Sequence, residues 1–259
     1  MDLTKALAVC LEAVHDAGRL TLGYFARAPE PRFKEDGSPV TEADLRAEEL
    51  IRSRLEQAFP DHGIQGEEHG LTNEGAGARW YVDPIDGTKS FMRGVPLYAN
   101  LLALEVDGEV VVGAANFPAL GEVVYAVRGG GAFLNGRPAR VRDTEDLSQA
   151  MVAFTDAASF AKAGMAEGWQ RLMAATFHRP GWSDAYGHAC VATGRVEVMI
   201  DPLLAPHDAG PFGVILEEAG GWFGDLSGRP GIHGGSGMSS NLPLRDEVLD
   251  LMRPSVVRT

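Results

Sequence analysis

Apolar residues recur at helical spacing along the first part of the chain. Between residues 4 and 26 they fall three and four positions apart, which predicts an amphipathic helix. A turn-rich segment, residues 32–40, interrupts this pattern. A second helix is predicted to begin at Thr41 and to end at Pro60, because proline cannot continue a helix.

Short runs rich in apolar residues follow, and they predict β-strands. Five such runs can be read from the sequence: residues 80–82, 97–106, 109–117, 122–127 and 131–141. Asp107-Gly108 and Asn135-Gly136 are dipeptides typical of tight hairpin turns. Consecutive hairpins after two helices predict an antiparallel sheet with helices on one side.

The pattern changes near residue 145, where strands begin to alternate with helices. Strands are predicted at residues 150–155 and 196–200, and helices at 159–175, before Gly194, from Asp208 to Gly220, and at 243–252. This alternation is typical of an α/β arrangement. We therefore predict two domains, residues 1–145 with the antiparallel sheet and most metal ligands, and residues 146–259, which complete the site.

The charge balance narrows the range of partners. The chain has 36 acidic and 23 basic residues, a net charge of −13. Such a surface repels nucleic acid and anionic membranes, so neither is an expected partner. It also repels a phosphate ester, so a phosphate site here needs local positive charge, which a bound divalent metal can supply.

The cysteines argue against a disulfide framework or a thiolate zinc site, and the N-terminus argues against a signal peptide. Cys10 and Cys190 are the only cysteines, and their separation supports neither a disulfide framework nor a thiolate zinc site. The first helix has acids among its apolar residues and lacks the cationic start of a signal peptide. No uncharged run reaches transmembrane length. We expect a soluble protein of the cytoplasm.

The segment WYVDPIDGT carries the strongest chemical signal. Asp83 and Asp86 stand three residues apart where a buried strand ends, and Pro84 and Gly87 allow the sharp turn that aims both at one point. Carboxylates so arranged suit Mg²⁺, which prefers oxygen ligands. Asp-Pro and Asp-Gly alone are common turn dipeptides, but the full string after a strand favours a metal site.

The Asp83 and Asp86 pair makes other acids of the chain candidates for the same site. Glu67 and Glu68 follow a short predicted strand, where paired acids are usually solvated. Asp44 lies three residues after Thr41, the spacing of a helix capping box. Asp208 is equally compatible with a first-turn acid that the helix dipole favours.

Together these segments resemble the inositol monophosphatase superfamily of metal-dependent phosphatases. The matching blocks are residues 40–44, 66–68, 83–88, and Asp208 with residues 218–221. They occur in the family's order and span nearly the whole chain. The resemblance implies a layered α/β/α/β/α sandwich of the inositol monophosphatase/fructose bisphosphatase type.

The resemblance also implies a metal set. The residue matching Asp83 bridges two metals in that family. Glu67 and the Ile85 carbonyl match ligands of the first metal, and Asp86 and Asp208 match ligands of the second. A third, weaker metal is often held near Glu67. Mg²⁺ is the expected cofactor, with two or three ions per site, and Mn²⁺ is an alternative.

Catalytic roles follow from the same resemblance. Gly87 and Thr88 would hold the phosphate, and the Thr88 hydroxyl with Asp44 would orient the attacking water. Glu67, as a metal ligand, completes the predicted catalytic set. Two metals would neutralise the phosphate oxygens and lower the pKa of the water, so no covalent intermediate is needed.

Within the superfamily, some details resemble the histidinol-phosphate phosphatases. These are the run from Asp86 to Phe91 followed by residues 93–96, the Ser183-Asp184 pair, and His207 in place of the usual tryptophan. Asp184 and Asp201 are the candidates for contacts to the organic part of the substrate. Their alternatives are a helix N-cap and a strand-end turn.

Three interpretations stay open from the sequence. The first is hydrolysis of L-histidinol phosphate, and the second is an inositol-1-phosphate or broad-range sugar phosphatase. The third is a non-catalytic metal-binding protein on the same fold, which is weakened because every acidic position of the pattern is present. By analogy with the family, we expect a homodimer.

Overall fold

A computed structural model describes residues 1–25, 27, 31–35 and 37–253. The helices are α1 Leu3–Tyr24, α2 Glu42–Ala58, α3 Thr88–Met92, α4 Ala157–Lys162, α5 Ala166–Ala175, α6 Asp184–Ala192, α7 Pro206–Ala209, α8 Phe212–Glu218 and α9 Arg245–Met252. The strands are β1 Arg32–Phe33, β2 Pro39–Val40, β3 Gly63–Gly66, β4 Gly70–Thr72, β5 Ala78–Asp86, β6 Ala99–Val106, β7 Glu109–Phe117, β8 Glu122–Val127, β9 Gly131–Leu134, β10 Arg137–Pro138, β11 Val152–Phe154, β12 Val198–Asp201, β13 Gly221–Gly224 and β14 Gly237–Asn241.

The larger sheet has eight strands in the order β10-β9-β8-β7-β6-β5-β3-β4. All neighbours in it are antiparallel except β3 and β5. Asp107 and Gly108, at φ 53° and 82°, connect β6 to β7, as their sequence predicts. The turn at Asn135 and Gly136 has the same left-handed backbone.

Side chains of the large sheet alternate between two cores. Trp80 and Val82 of β5 pack with α1 and α2, whereas Tyr81 between them packs on the opposite face. Leu102 and Leu104 of β6 likewise face α1 and α2. This period of two is what a pleated strand requires when both of its faces are covered.

A second, four-stranded sheet has the order β11-β12-β14-β13. Helices α6 and α8 lie between the two sheets and share one core with both. Helices α4, α5 and α9 cover the outer face of the small sheet in another core. The layers are therefore helix, sheet, helix, sheet, helix, and the predicted α/β/α/β/α sandwich is confirmed.

Some local predictions differ from the structure. The single helix predicted at 159–175 is two helices, α4 and α5, because the chain turns at Gly164 with φ 73°. Strands β13 and β14 were not predicted. The sequence of β14, GMSSN, has small and polar residues that are weak strand formers, and its buried position is set by neighbouring strands.

The first helix was predicted to include Ala26, which lies outside the described residues. The division into two domains near residue 145 stays a prediction. Within the described ranges, no helix has the length and apolar character needed to cross a bilayer.

Candidate active site

The end of β5 carries the two central acids. The pairing of β5 with β6 is regular up to Asp83, shifts register, and resumes at Asp86. Such an irregularity re-aims side chains at a strand end. The backbone N–H of Ile85 donates to Asp83 Oδ1 at 3.0 Å, and the Asn100 amide donates to the Pro84 carbonyl at 2.6 Å. These bonds fix the turn between the two acids.

Asp208 reaches the same point from a distant part of the chain. It lies in the first turn of α7, and its Oδ2 accepts from the backbone N–H of Ala205 at 3.2 Å. One carboxylate oxygen each from Asp83, Asp86 and Asp208 lies within 4.8 Å of the others. Asp208 therefore lies in the first turn of its helix and also belongs to the acidic cluster, and its role as a metal ligand stays a prediction.

The cluster is electrostatically unfavourable by itself. Burial raises the pKa of Asp83 well above its usual range, and repulsion from Glu67, Asp86 and Asp208 raises it further. Burial also raises the pKa of Asp86 and that of Asp208. Three converging carboxylates, of which Asp83 is buried and Asp208 is half-buried, have the chemistry of a divalent cation site, since such a cation would offset this repulsion.

Glu67 lies beside this cluster on the turn after β3. Its backbone N–H donates to the Val82 carbonyl at 3.1 Å, which ties the turn to β5. The ammonium of Lys34 lies 2.7 Å from Oε1 of Glu67 and 2.7 Å from Oε1 of Glu68. Burial raises the pKa of Glu68 to about 7 against the opposing effect of Lys34. Lys34 was not among the predicted site residues.

Asp44, in the first turn of α2, meets Thr88, which follows the turn between Asp83 and Gly87. Asp44 is fully buried, and its Oδ2 accepts from the backbone N–H of Thr41 at 2.8 Å and from its hydroxyl at 2.5 Å. The Thr88 hydroxyl lies 3.3 Å from Asp44 Oδ1 and 3.0 Å from the Ile85 carbonyl oxygen. Burial raises the pKa of Asp44 to about 6. The predicted capping box is present, and it also fixes the carboxylate against Thr88.

Gly87 begins the short helix α3 with a left-handed backbone, φ 79°. A Cβ at this position would lie 3.0 Å from Asp184 Oδ2 and 3.5 Å from the Tyr98 Cα. The first backbone N–H groups of a helix have no partner within it. The turn therefore needs glycine for both its backbone angle and its closeness to Asp184.

Asp184 stands at the first position of α6 with φ 57°, a left-handed angle that is uncommon for a residue other than glycine. Its backbone N–H donates to Thr155 Oγ1 at 2.9 Å, while the next N–H, of Ala185, donates to Asp86 Oδ2 at 2.7 Å. Burial and the charge of Asp201 raise the pKa of Asp184 to about 6. Helix α6 thus holds Asp86 and places Asp184 beside it.

Asp201 is almost buried, with 4% of its surface exposed. Its Oδ2 lies 3.2 Å from Nε2 of His188, whose Nδ1 is 2.8 Å from Ser239 Oγ. The ring of His188 packs on Phe212 with centroids 4.9 Å apart. His188 was missed from the sequence because a single histidine in an apolar helix carries no motif.

The structure brings the predicted site residues together near the end of β5. Glu218, which belongs to one of the matched blocks, lies elsewhere. Glu218 accepts from the backbone N–H groups of Gly129 and Gly131 at 2.6 and 2.7 Å. It therefore fixes the turn between β8 and β9 and is separate from the acidic cluster.

The inositol monophosphatase family model matches residues 2–249. The chain belongs to the inositol monophosphatase family. This family is one of phosphoric monoester hydrolases, and the chain is a phosphatase of this type.

The relatives include proteins named for histidinol phosphate and proteins named for inositol phosphate. A histidinol-phosphatase of Chlorobaculum parvum is 45% identical over 239 residues, which cover 92% of each chain. An inositol-1-monophosphatase of Rhizobium meliloti is 35% identical over 236 residues and 88% of each chain. The solved IMPase of Thermotoga maritima superimposes with a TM-score of 0.87 at 29% identity and covers 97% of both chains.

Proposed function

We propose that this phosphatase depends on Mg²⁺ and hydrolyses L-histidinol phosphate to L-histidinol and inorganic phosphate, with water as the nucleophile. The observation that carries the substrate assignment is the position of Asp184. Its carboxylate lies against the Gly87 turn, beside the acidic cluster and close enough to Asp201 for their charges to interact. The high identity to histidinol-phosphatases supports the same substrate.

The converging carboxylates of Asp83, Asp86 and Asp208 fit a divalent cation, and the proposed cofactor is a pair of such ions. Asp83, whose carboxylate is repelled by Glu67, Asp86 and Asp208, would serve as a ligand of both ions. Glu67 and the Ile85 carbonyl would complete the first position, and Asp86 with Asp208 the second. Bound Mg²⁺ would neutralise the phosphate oxygens and lower the pKa of the attacking water.

The water is oriented by Thr88 and Asp44. The Thr88 hydroxyl lies between the Asp44 carboxylate and the Ile85 carbonyl, so it can accept from a water while it donates to one of them. As the water oxygen attacks phosphorus, its proton passes to this pair. The bond from phosphorus to the ester oxygen breaks, and the leaving oxygen takes up a proton from a solvent water, while the pair returns its own proton to solvent. Backbone N–H groups at Gly87 and Thr88 would hold the phosphate.

The organic part of the substrate is selected by charge. Two divalent cations would balance the carboxylates of the predicted ligands Glu67, Asp83, Asp86 and Asp208. Asp184, whose charge Lys89 offsets in part, and Asp201, whose Oδ2 lies 3.2 Å from His188 Nε2, are the remaining acids, and a cationic leaving group would add a favourable charge interaction with them. Histidinol offers an ammonium group and an imidazole, whereas inositol is neutral.

A second candidate is an inositol-1-phosphate or broad-range sugar phosphatase. It is supported by the Rhizobium meliloti relative and by the family as a whole. A polyol would meet Asp184 and Asp201 only through hydroxyl groups, and hydrogen bonds between neutral and charged groups do not offset the two negative charges.

Phosphate release by the purified protein in saturating Mg²⁺ tests the substrate. We expect a kcat/KM for L-histidinol phosphate about tenfold to a hundredfold above that for myo-inositol 1-phosphate, since one charge-assisted pair contributes about 1.5–3 kcal/mol. A higher kcat/KM for inositol phosphate would overturn the substrate while the metal assignment stands. The homodimer and the cytoplasmic location stay proposals, and light scattering measures the first.

A further inference from the structure

Helix α2 contains a buried ion pair that contacts the Glu67 turn. Glu48 is fully buried, and its Oε1 accepts from Arg52 Nε at 2.7 Å, one helical turn further along. The same carboxylate accepts two backbone N–H groups from the turn, from Glu68 at 2.7 Å on Oε2 and from His69 at 3.1 Å on Oε1. Both oxygens of Glu48 are therefore occupied by donors.

The rest of the hairpin from β3 to β4 is attached to the same pair. Arg52 donates through one guanidinium nitrogen to the Gly70 carbonyl and through the other to Thr72 Oγ1. At Gly66, a Cβ would lie 1.9 Å from Glu48 Oε1, so only glycine lets the strand approach the carboxylate this closely. The segment that follows Glu67 is thus hydrogen-bonded to α2, and Gly66 before it lies close against the same carboxylate.

The position of this pair on α2 gives it a consequence for the site. Asp44, Glu48 and Arg52 follow at intervals of four residues and lie on one face of the helix. Asp44 contacts Thr88 at the site, and Glu48 holds the neighbours of Glu67 one turn later. A single rigid helix therefore sets the distance between the residue proposed to orient water and the turn of a proposed metal ligand.

We propose that Glu48, supported by Arg52, is a positioning residue for metal binding. It fixes the backbone of residues 66–69 so that the Glu67 carboxylate faces Asp83 before the cation arrives. This inference rests on the metal dependence proposed above. Groups that orient a ligand from behind usually change metal affinity about tenfold to a hundredfold when they are replaced.

Glu48→Gln is the variant that tests this role. Glutamine has nearly the same shape, but its amide nitrogen cannot accept a hydrogen bond, so either a turn N–H or Arg52 loses its acceptor. Glu49→Gln is the matched control, because Glu49 is the next residue, is exposed and carries the same charge. The probe is Mg²⁺ alone, titrated into metal-free protein while the unfolding temperature is recorded.

We expect Glu48→Gln to shift the Mg²⁺ concentration that gives half of the thermal stabilisation upward by about tenfold or more. The Mg²⁺ concentration for half-maximal activity should rise in parallel, while saturating Mg²⁺ restores kcat and leaves the KM for the phosphate ester unchanged. Glu49→Gln should behave as the wild type.

Other outcomes would distinguish a failure of the positioning role from a failure of the proposed metal dependence. A lower unfolding temperature with an unchanged Mg²⁺ midpoint makes Glu48 a structural residue and overturns the inference. A wild type without any Mg²⁺-dependent shift overturns the metal dependence itself. If Glu48→Gln does not fold, amide hydrogen exchange of the wild type decides, because His69 is exposed and its N–H should exchange slowly only if Glu48 holds it. Fast exchange at Glu68 and His69 would contradict the role.

Discussion

At the scale of single residues, Asp83 combines a cost in stability with the proposed central role in catalysis. Its carboxylate is 2% exposed and is repelled by three neighbouring acids. A residue kept under such conditions is typical of a functional site, where stability is given up for a preorganised charge arrangement.

Asp83→Asn should therefore act in opposite directions on activity and stability. The amide is nearly isosteric and removes the repelled charge, so the metal-free variant should unfold at a higher temperature than the metal-free wild type. Each kcal/mol of relieved repulsion corresponds to about 2–4 °C for a chain of this size. Turnover in saturating Mg²⁺ should fall by about a hundredfold or more. Near-native turnover, measured by phosphate release, would exclude Asp83 as the bridging ligand.

Asp184 allows a test of substrate choice that leaves the backbone intact. Asparagine, like aspartate, tolerates the left-handed angle at this position, φ 57°. Asp184→Asn should lower kcat/KM for L-histidinol phosphate by about tenfold to a hundredfold, because the charge-assisted pair is lost. The value for myo-inositol 1-phosphate should stay within about twofold. Equal losses on both substrates would make Asp184 a structural residue only.

At the scale of elements, the site is built from ends and turns, and each is fixed by a separate contact. The register shift in β5 aims Asp83 and Asp86, helix α6 donates to Asp86, and the first turn of α7 supplies Asp208. Ends of regular elements leave backbone groups free for ligands, which explains why the acids gather there.

Two glycines with nearly equal backbone angles allow the effect of backbone strain on stability to be distinguished from an effect on catalysis. Gly87 and Gly108 have φ of 79° and 82°, but a Cβ at Gly108 would meet nothing within 4 Å, whereas one at Gly87 would press on Asp184. Alanine at either position should cost about 1–2 kcal/mol of unfolding free energy. Only Gly87→Ala should also reduce kcat, by about tenfold or more. A comparable loss of kcat in Gly108→Ala, measured under the same conditions, would contradict this assignment.

The same elements show what could be predicted from the sequence. The hairpin turn at Asp107 and Gly108 carries its own signal, and the DPIDGT string marks the acidic turn. Strand β14 has no such sequence signal, because its pairing with β12 and β13, and not its own composition, makes it a strand. The Glu48 and Arg52 pair had a signal in its spacing of four residues, but an acid and a base at that spacing usually lie on a solvated helix surface.

At the scale of the whole molecule, the acidic cluster makes stability depend on pH and metal together. The pKa values of Asp44 and Asp184 are raised to about 6, and those of Asp83 and Asp86 are also raised. The folded protein therefore binds more protons than the unfolded chain above about pH 4, where free carboxyl groups lose theirs. Under this condition, the free energy of unfolding falls as pH rises.

We accordingly expect the unfolding temperature of the metal-free protein to be lower at pH 7.5 than at pH 5.5. Mg²⁺ should stabilise the protein more at pH 7.5, because cations bind the ionised carboxylates and compete with protons at lower pH. Calorimetric scans at both pH values, with Mg²⁺ and with chelator, measure the two differences. A metal-free protein that becomes more stable as pH rises over this range would contradict the predicted electrostatics of the cluster.

The net charge of −13 makes a bound metal central to catalysis, because an acidic protein needs a local cation to hold a phosphate ester. The most direct test is phosphate release from L-histidinol phosphate by protein stripped with EDTA and then titrated with Mg²⁺. We expect no release in chelator and full recovery as Mg²⁺ saturates the site. Undiminished hydrolysis in excess chelator would contradict the proposed metal dependence.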